Sequence, residues 1–232
     1  MLIRWDQLPD NMKTEAVKPY YDELSRHRIS LFIKRMFDIA VSFIMLLVLW
    51  PFMLIMAAAI KLDSPGPVFF SQERVTTYGK RFRILKFRTM VDKAEKMGSQ
   101  VTVSNDKRIT RVGGFLRKVR LDEFPQLINI LKGDMTYVGT RPEVVKYVEQ
   151  YTDEMMATLL LPAGVTSEAS IRFKDEDQML QAADDVDRVY VQDVLPRKMK
   201  YNLEALKKFN VFEELLTMIR TVLAVLGKDF PE

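Results

Sequence analysis

Through most of the chain, charged and apolar residues are interleaved, but between Ala40 and Ile60 charge disappears altogether. An uncharged run of this length meets the requirement for a bilayer-spanning helix. It begins too far from the first residue, and is too long, to read as a secretory leader. Pro51 sits at its centre, where it removes a backbone hydrogen bond and collides with the preceding turn, so a kink or break is expected there. The flanks carry a second message. Arg26, Arg28, Lys34 and Arg35 stand upstream, and Lys61, Arg74, Lys80, Arg81, Arg83, Lys86 and Arg88 stand downstream. A simple span leaves one flank poor in Lys and Arg, whereas here both are rich. The pattern therefore predicts a re-entrant membrane helix hairpin over residues 29–62, broken at Pro51, with a kinked span as the alternative. Trp50 is expected against lipid or protein, away from the interfacial belt.

The rest of the pattern is that of a small α+β fold, mostly helical. Residues 1–28 are polar with scattered aromatics (Trp5, Tyr20, Tyr21) and read as a surface or interfacial segment. Asp63 to Pro67 forms a turn rich in Pro and Gly that ends the membrane helix. Val68 to Phe70 and Phe82 to Phe87 read as strands of a β-hairpin about the polar turn Thr76–Lys80, and residues 91–110 as a polar helix followed by a loop. From Leu121 to Gly133, apolar residues at 124, 127, 128 and 131 mark one helical face, with Gly133 placed to cap the end. Asp122 is the expected N-cap, which puts Pro125 in the first turn, where its missing N–H is harmless. Another helix is predicted over 143–151. Val211–Leu226 is an amphipathic to fully apolar helix that packs on the core or lies on the membrane; periodicity leaves both open. A single catalytic domain thus covers residues 63–232.

Composition narrows the chemistry. A chain of 232 residues suits one domain with appendages. With no cysteine and one histidine, His27, which lies in a basic flank, thiolate nucleophiles, cysteine metal sites and histidine triads are set aside. The net charge of +4 points to anionic partners. Nucleic acid is disfavoured among them, because no nucleic-acid module is present and the long apolar run needs lipid.

Two places could handle phosphate. A carboxylate at a helix N-terminus is stabilised in its charged form, and Arg117, Lys118 and Arg120 just upstream act in the same sense, so Asp122 is expected to be ionised. Glu123 beside it completes a like-charged pair able to bind a divalent cation or share a proton. Simple helix capping explains the same pair. The turn Gly139-Thr-Arg-Pro142 offers Arg141 and backbone N–H groups to an anion, or is merely a surface turn.

Taken in order, Lys34-Arg-Met-Phe-Asp38, Ser64-Pro-Gly-Pro67, Lys86-Phe-Arg-Thr-Met90, Leu121-Asp-Glu-Phe-Pro-Gln-Leu-Ile-Asn129 and Lys132-Gly-Asp-Met-Thr-Tyr-Val-Gly-Thr-Arg-Pro142 make the chain resemble the bacterial sugar transferase family, the monotopic polyprenyl-phosphate phosphoglycosyl transferases, over residues 32–226. The resemblance implies a re-entrant hairpin and an active site at the cytoplasmic face of the bacterial inner membrane. It implies Asp122 as the nucleophile that attacks the β-phosphate of a UDP-sugar and releases UMP, with Glu123 as its partner near Mg²⁺. The phosphosugar then passes to a polyprenyl phosphate, typically undecaprenyl phosphate. Lys86, Arg88, Arg120 and Arg141 are the implied phosphate grips.

Three departures from the family pattern stand out. Thr140 replaces a common proline, and Trp50 precedes Pro51 where serine is frequent. The stretch Pro162-Ala-Gly-Val-Thr-Ser-Glu-Ala-Ser-Ile-Arg172 replaces the usual Pro-Gly-Ile-Thr-Gly and Trp-Ala-Gln elements, leaving the sugar undetermined. A non-catalytic membrane scaffold is the rival reading. The oligomeric state, a homodimer included, is left open.

Overall fold

A computed structural model describes residues 2–94, 106–173, 185–228 and 230. Much of the helix read over 91–110 lies outside the described residues. The helices are α1 (Lys18–Arg26), α2 (Arg28–Asp63), α3 (Arg111–Lys118), α4 (Gln126–Lys132), α5 (Val145–Val148), α6 (Glu168–Arg172), α7 (Val186–Val189), α8 (Leu195–Lys207) and α9 (Val211–Val225). Strands β1 (Phe69–Val75) and β2 (Arg81–Phe87) pair antiparallel from Phe69 opposite Phe87 to Val75 opposite Arg81. This is the expected hairpin, with a first strand longer than the sequence indicated. A second sheet, which the sequence did not indicate, joins β3 (Met135–Val138) to β4 (Ala163–Thr166) in parallel.

The apolar run forms one helix, α2, with Pro51 inside it. Pro51 thus does not divide the run into two helices: α2 counts 36 continuous residues, about 54 Å along the helix path at the usual rise per residue. Packing on both sides of Pro51 accounts for the continuity. Met45, Leu46 and Leu49 pack against Phe82, Ile84, Leu127, Ile130 and Met135, while Met53, Met56 and Ala57 pack against Phe87 and Leu116. These contacts hold the turns before and after the proline, so the lost hydrogen bond is absorbed within the helix. Contact positions recur every three or four residues from Leu31 to Ile60, so a single face of α2 follows the domain along its whole length. Phe43, Ile44, Leu47, Val48, Trp50, Phe52, Leu54 and Ile55 point outward and are exposed. Both ends of α2 pack on the domain, through Leu31 at one end and Ile60 at the other.

Polar side chains fix the rotation of this helix. Asp38, almost fully buried, accepts from the Thr136 hydroxyl at 2.6 Å, and Ser42 donates to the Tyr137 hydroxyl at 2.9 Å. Arg35 donates to the carbonyls of Ile130 and Leu131 at 2.6 and 3.0 Å, supplying a cation and donors to the C-terminus of α4. Lys34 donates to the Val138 carbonyl at 2.9 Å and to Glu214 of α9 at 2.6 Å.

Residues before α2 depart from the expectation of a surface segment. Leu8, Met12, Val17, Tyr20 and Leu24 are buried in a cluster with Leu160, Leu203, Leu206 and Phe209. Short 3₁₀ turns at Trp5–Gln7 and Asp10–Met12 deliver Leu8 and Met12 without a helical period, while Val17, Tyr20, Tyr21 and Leu24 keep the helical spacing of α1.

Burial pushes the Glu214 carboxyl up, against the attraction of Lys34. Desolvation therefore outweighs pairing at that carboxylate, and the pair fixes geometry more than it stabilises. Lys34→Met should lower stability by about 3–5 kcal/mol because it strands a buried charge. Lys34→Met combined with Glu214→Leu should recover most of that loss, read by thermal unfolding in detergent.

Candidate active site

The acidic pair sits between three elements. Alternation along β2 turns Lys86 inward, where its ammonium donates to Glu123 Oε1 at 3.0 Å. Arg141, from the loop after β3, donates to the same oxygen at 2.5 Å and to the Val165 carbonyl at 3.3 Å. That loop is seated by a crossing of two backbones. A Cβ on Gly164 would lie 2.1 Å from the Gly139 carbonyl oxygen, so a side chain there would force the strands apart. Asn129 of α4 completes the frame. It accepts from the Leu85 N–H at 3.0 Å and donates to the Arg83 carbonyl at 2.9 Å, taking the place of a neighbouring strand along β2.

Asp122 lies in a 3₁₀ turn, Leu121–Glu123, preceded by Arg120 in a left-handed conformation at φ 58°. Such a conformation costs a non-glycine residue about 1–3 kcal/mol and marks a constrained position. Phe124 and Pro125 keep right-handed helical geometry, so Asp122 and Gln126 fall one turn apart on the same side. Asp122 is therefore not the N-cap that the sequence suggested. α4 starts four residues later, behind Pro125, and no side chain caps it. Gly133, at φ 88°, does end α4 in the expected left-handed cap.

Both carboxylates open onto a cavity of about 780 Å³. Arg74, Lys86, Arg117, Arg120 and Arg141 line its centre. One end is apolar, walled by Met45, Leu127, Ile130, Tyr137, Val165 and Val225. Val225 is itself 44% exposed, so that wall continues onto the outer surface. The other end is aromatic and polar. There Tyr190 donates to Glu143 at 2.5 Å, Lys198 donates to the Tyr190 hydroxyl at 3.1 Å, and Tyr147 and Phe173 pack alongside.

The two carboxylates are driven in opposite directions. Burial raises the Asp122 carboxyl, with Lys86 opposing and Glu123 adding to the rise. Burial acts on Glu123 in the same sense but is overcome by Arg141, Lys86 and Arg120, which hold it well below the usual carboxylate range. Asp122 is thus harder to ionise than a helix cap would be, and more basic once ionised, while Glu123 is a fixed anion. Burial also lowers the Lys86 ammonium, against Glu123.

Of the residues singled out from sequence, Asp122, Glu123, Lys86, Arg120 and Arg141 meet at this cavity, and Arg88 does not. Arg88 lies beyond the end of β2, is 4% exposed, and donates to the carbonyls of Ser64 and Pro65. It ties the turn after α2 to the hairpin, so its charge serves backbone carbonyls and not a ligand. Residues that sequence reading passed over are Arg74, Arg117, Asn129 and Gln126. Arg117 stood in the basic run before Asp122, which was a signal of a kind. Nothing distinguished Arg74 from other strand residues until β1 placed it beside Pro142, whose carbonyl it meets at 3.1 Å.

A metal has a narrow fit here. Among the described residues no three His, Cys, Asp or Glu side chains converge. Glu123 Oε1 is already engaged by Lys86 and Arg141, leaving its second oxygen and Asp122. Mg²⁺ commonly uses one or two carboxylates together with phosphate oxygens and water, and these residues fit that shared kind of site.

Because folding raises the Asp122 carboxyl, its ionisation opposes folding at every pH above its folded value, and the penalty vanishes below its unfolded value. Asp122→Asn should therefore raise the melting temperature near neutral pH and lose that advantage in acid. Glu123 has the opposite sign: its stabilisation is present above the unfolded value and is lost as pH falls through the depressed one. Glu123→Gln should accordingly lower the melting temperature near neutral pH, by scanning calorimetry.

Residues 29–228 match the bacterial sugar transferase family. The chain is 36% identical over 198 residues to a UDP-N-acetylgalactosamine-undecaprenyl-phosphate N-acetylgalactosaminephosphotransferase of Aeromonas hydrophila, covering 84% of this chain and 44% of that protein. It is 34% identical over 218 residues to the UDP-glucose:undecaprenyl-phosphate glucose-1-phosphate transferase of Escherichia coli, covering 92% of this chain and 44% of the relative. An undecaprenyl-phosphate galactose phosphotransferase of Salmonella typhimurium is 38% identical over 154 residues, 60% of this chain and 32% of that protein. The chain thus spans less than half the length of these relatives. With the family matched over nearly all of its length, this chain belongs to the bacterial sugar transferase family.

Proposed function

We propose that this chain transfers a sugar 1-phosphate from a UDP-sugar to a polyprenyl phosphate, undecaprenyl phosphate being the natural candidate, with release of UMP. The observation that carries this reading is one cavity that joins a basic buried carboxylate, a cluster of cations and an apolar wall open to the outside. Relatives named as undecaprenyl-phosphate sugar phosphotransferases support it.

In the first half-reaction a carboxylate oxygen of Asp122 attacks the β-phosphorus of the UDP-sugar. The bond from that phosphorus to the oxygen bridging the two phosphates breaks, and UMP leaves with the electron pair. Arg141, Lys86, Arg117, Arg120 and Arg74 offset the charge gathered on the phosphates. Glu123 positions Lys86 and Arg141 and, as a fixed anion, keeps Asp122 basic. In the second half-reaction an oxygen of the lipid phosphate attacks the same phosphorus and the bond to Asp122 breaks, freeing the carboxylate. Mg²⁺, held by Asp122, the free oxygen of Glu123 and ligand phosphates, would neutralise charge that otherwise repels the nucleophile.

The lipid reaches the site from the apolar end, past Met45, Tyr137 and Val225, and the nucleotide occupies the aromatic end. Placement follows from α2, which is long and apolar enough to cross a membrane. Its two ends rest on the same domain, which supports a re-entrant insertion from the cytoplasmic face of the inner membrane. The outward stripe Phe212, Leu215, Ile219, Val222 and Leu226 of the C-terminal segment would lie along the same surface.

Detergent-purified protein should release UMP from at least one of a panel of UDP-sugars, with many turnovers only when undecaprenyl phosphate is present. Asp122→Asn should reduce turnover by on the order of a thousandfold or more, and EDTA should abolish it until Mg²⁺ is restored. Release of no nucleotide from any sugar would favour a membrane scaffold instead. Val225→Trp, at the apolar mouth, should slow lipid-dependent turnover by about tenfold while changing the single-turnover burst of UMP much less.

A further inference from the structure

Gln126 is 1% exposed, lines the cavity, and has no hydrogen-bond partner among the described residues for either its side-chain nitrogen or its side-chain oxygen. A buried amide left unpaired at both atoms loses stability, and native folds keep such groups rarely. A leucine or methionine would fill the position without that penalty. Its place relates the amide to the chemistry, since Gln126 follows Asp122 by one helical turn on the same side.

What the amide would contact follows from what it offers. It presents two N–H donors and one carbonyl acceptor on a single plane. A phosphate oxygen only accepts and a metal ion only takes the carbonyl, so either would satisfy half of the group. Phosphate is in any case matched by Lys86, Arg141, Arg117, Arg120 and Arg74. A sugar hydroxyl both donates and accepts, and an acetamido substituent does the same. Resting on the functional reading above, we propose that Gln126 is a substrate-binding residue that contacts a hydroxyl or acetamido group of the sugar being transferred.

The test uses the full chain in detergent with its best UDP-sugar and the deoxy analogues of that sugar at each ring position. Wild type should lose about tenfold to a hundredfold in kcat/KM on one analogue, the one lacking the contacted group. Gln126→Met should lose a similar factor on the parent sugar and show no further loss on that analogue. Gln126→Asn should restore part of the discrimination. The melting temperature of Gln126→Met should equal or exceed that of wild type, because two unpaired polar atoms are removed. Equal losses on the parent and on every analogue would overturn the proposal, as would a lowered melting temperature or an effect confined to the lipid-dependent half-reaction. If wild type turned over no UDP-sugar, the functional reading itself would fall; wild-type turnover with an unaffected Gln126→Met would overturn this proposal alone.

Discussion

Glu123 is the point on which the site is assembled. One of its oxygens receives both Lys86 from the hairpin and Arg141 from the loop after β3, so three separately folded pieces converge on a single anion. The cations overcome the penalty of burying Glu123, and the residual negative charge acts on its neighbour. Two adjacent carboxylates of nearly identical chemistry are thereby separated into a permanent anion and a more basic carboxylate. This division depends on tertiary contacts with β2 and β3 and could not arise from an isolated acidic helix start.

The long helix α2 raises a different physical problem. A mostly apolar cylinder has little to fix its rotation on a domain, since one apolar face resembles another. Lys34, Arg35, Asp38 and Ser42 supply the missing directionality by reaching backbone and hydroxyl groups around β3 and α4. Once these contacts set the rotation, Met45 is turned toward the cavity while Ile44, Leu47 and Val48 face outward. The long apolar helix thereby also forms a wall of the cavity.

The chamber has unlike ends, and this bears on how relatives named for N-acetylgalactosamine, glucose and galactose share one framework. Its charged centre is built on the acidic pair and on the loop carrying Arg141. The stretch 162–172, where the chain departs from the family pattern, supplies Val165, Thr166, Ser170 and Ile171 to the lining. Variation there can reshape that part of the lining while leaving Glu123 and its two cations in place.

Much of the scheme was legible in the sequence. The uncharged run, the doubled basic flanks, the hairpin turn and the Gly133 cap are encoded locally, in spacing and composition, and the ordered motifs identify the family. Proximity was hidden. Arg88 lies two residues from Lys86, yet one meets buried carbonyls and the other the acidic pair, because β2 ends between them. The burial of Leu8, Met12, Val17, Tyr20 and Leu24, the continuity of α2 through Pro51 and the β3–β4 pairing all rest on contacts between residues far apart in the chain. The sequence by itself determined which chemical groups are present and which family they belong to. Only the tertiary structure decided which charges share a low-dielectric space, and the strength and direction of their effects depend on that space and on distance.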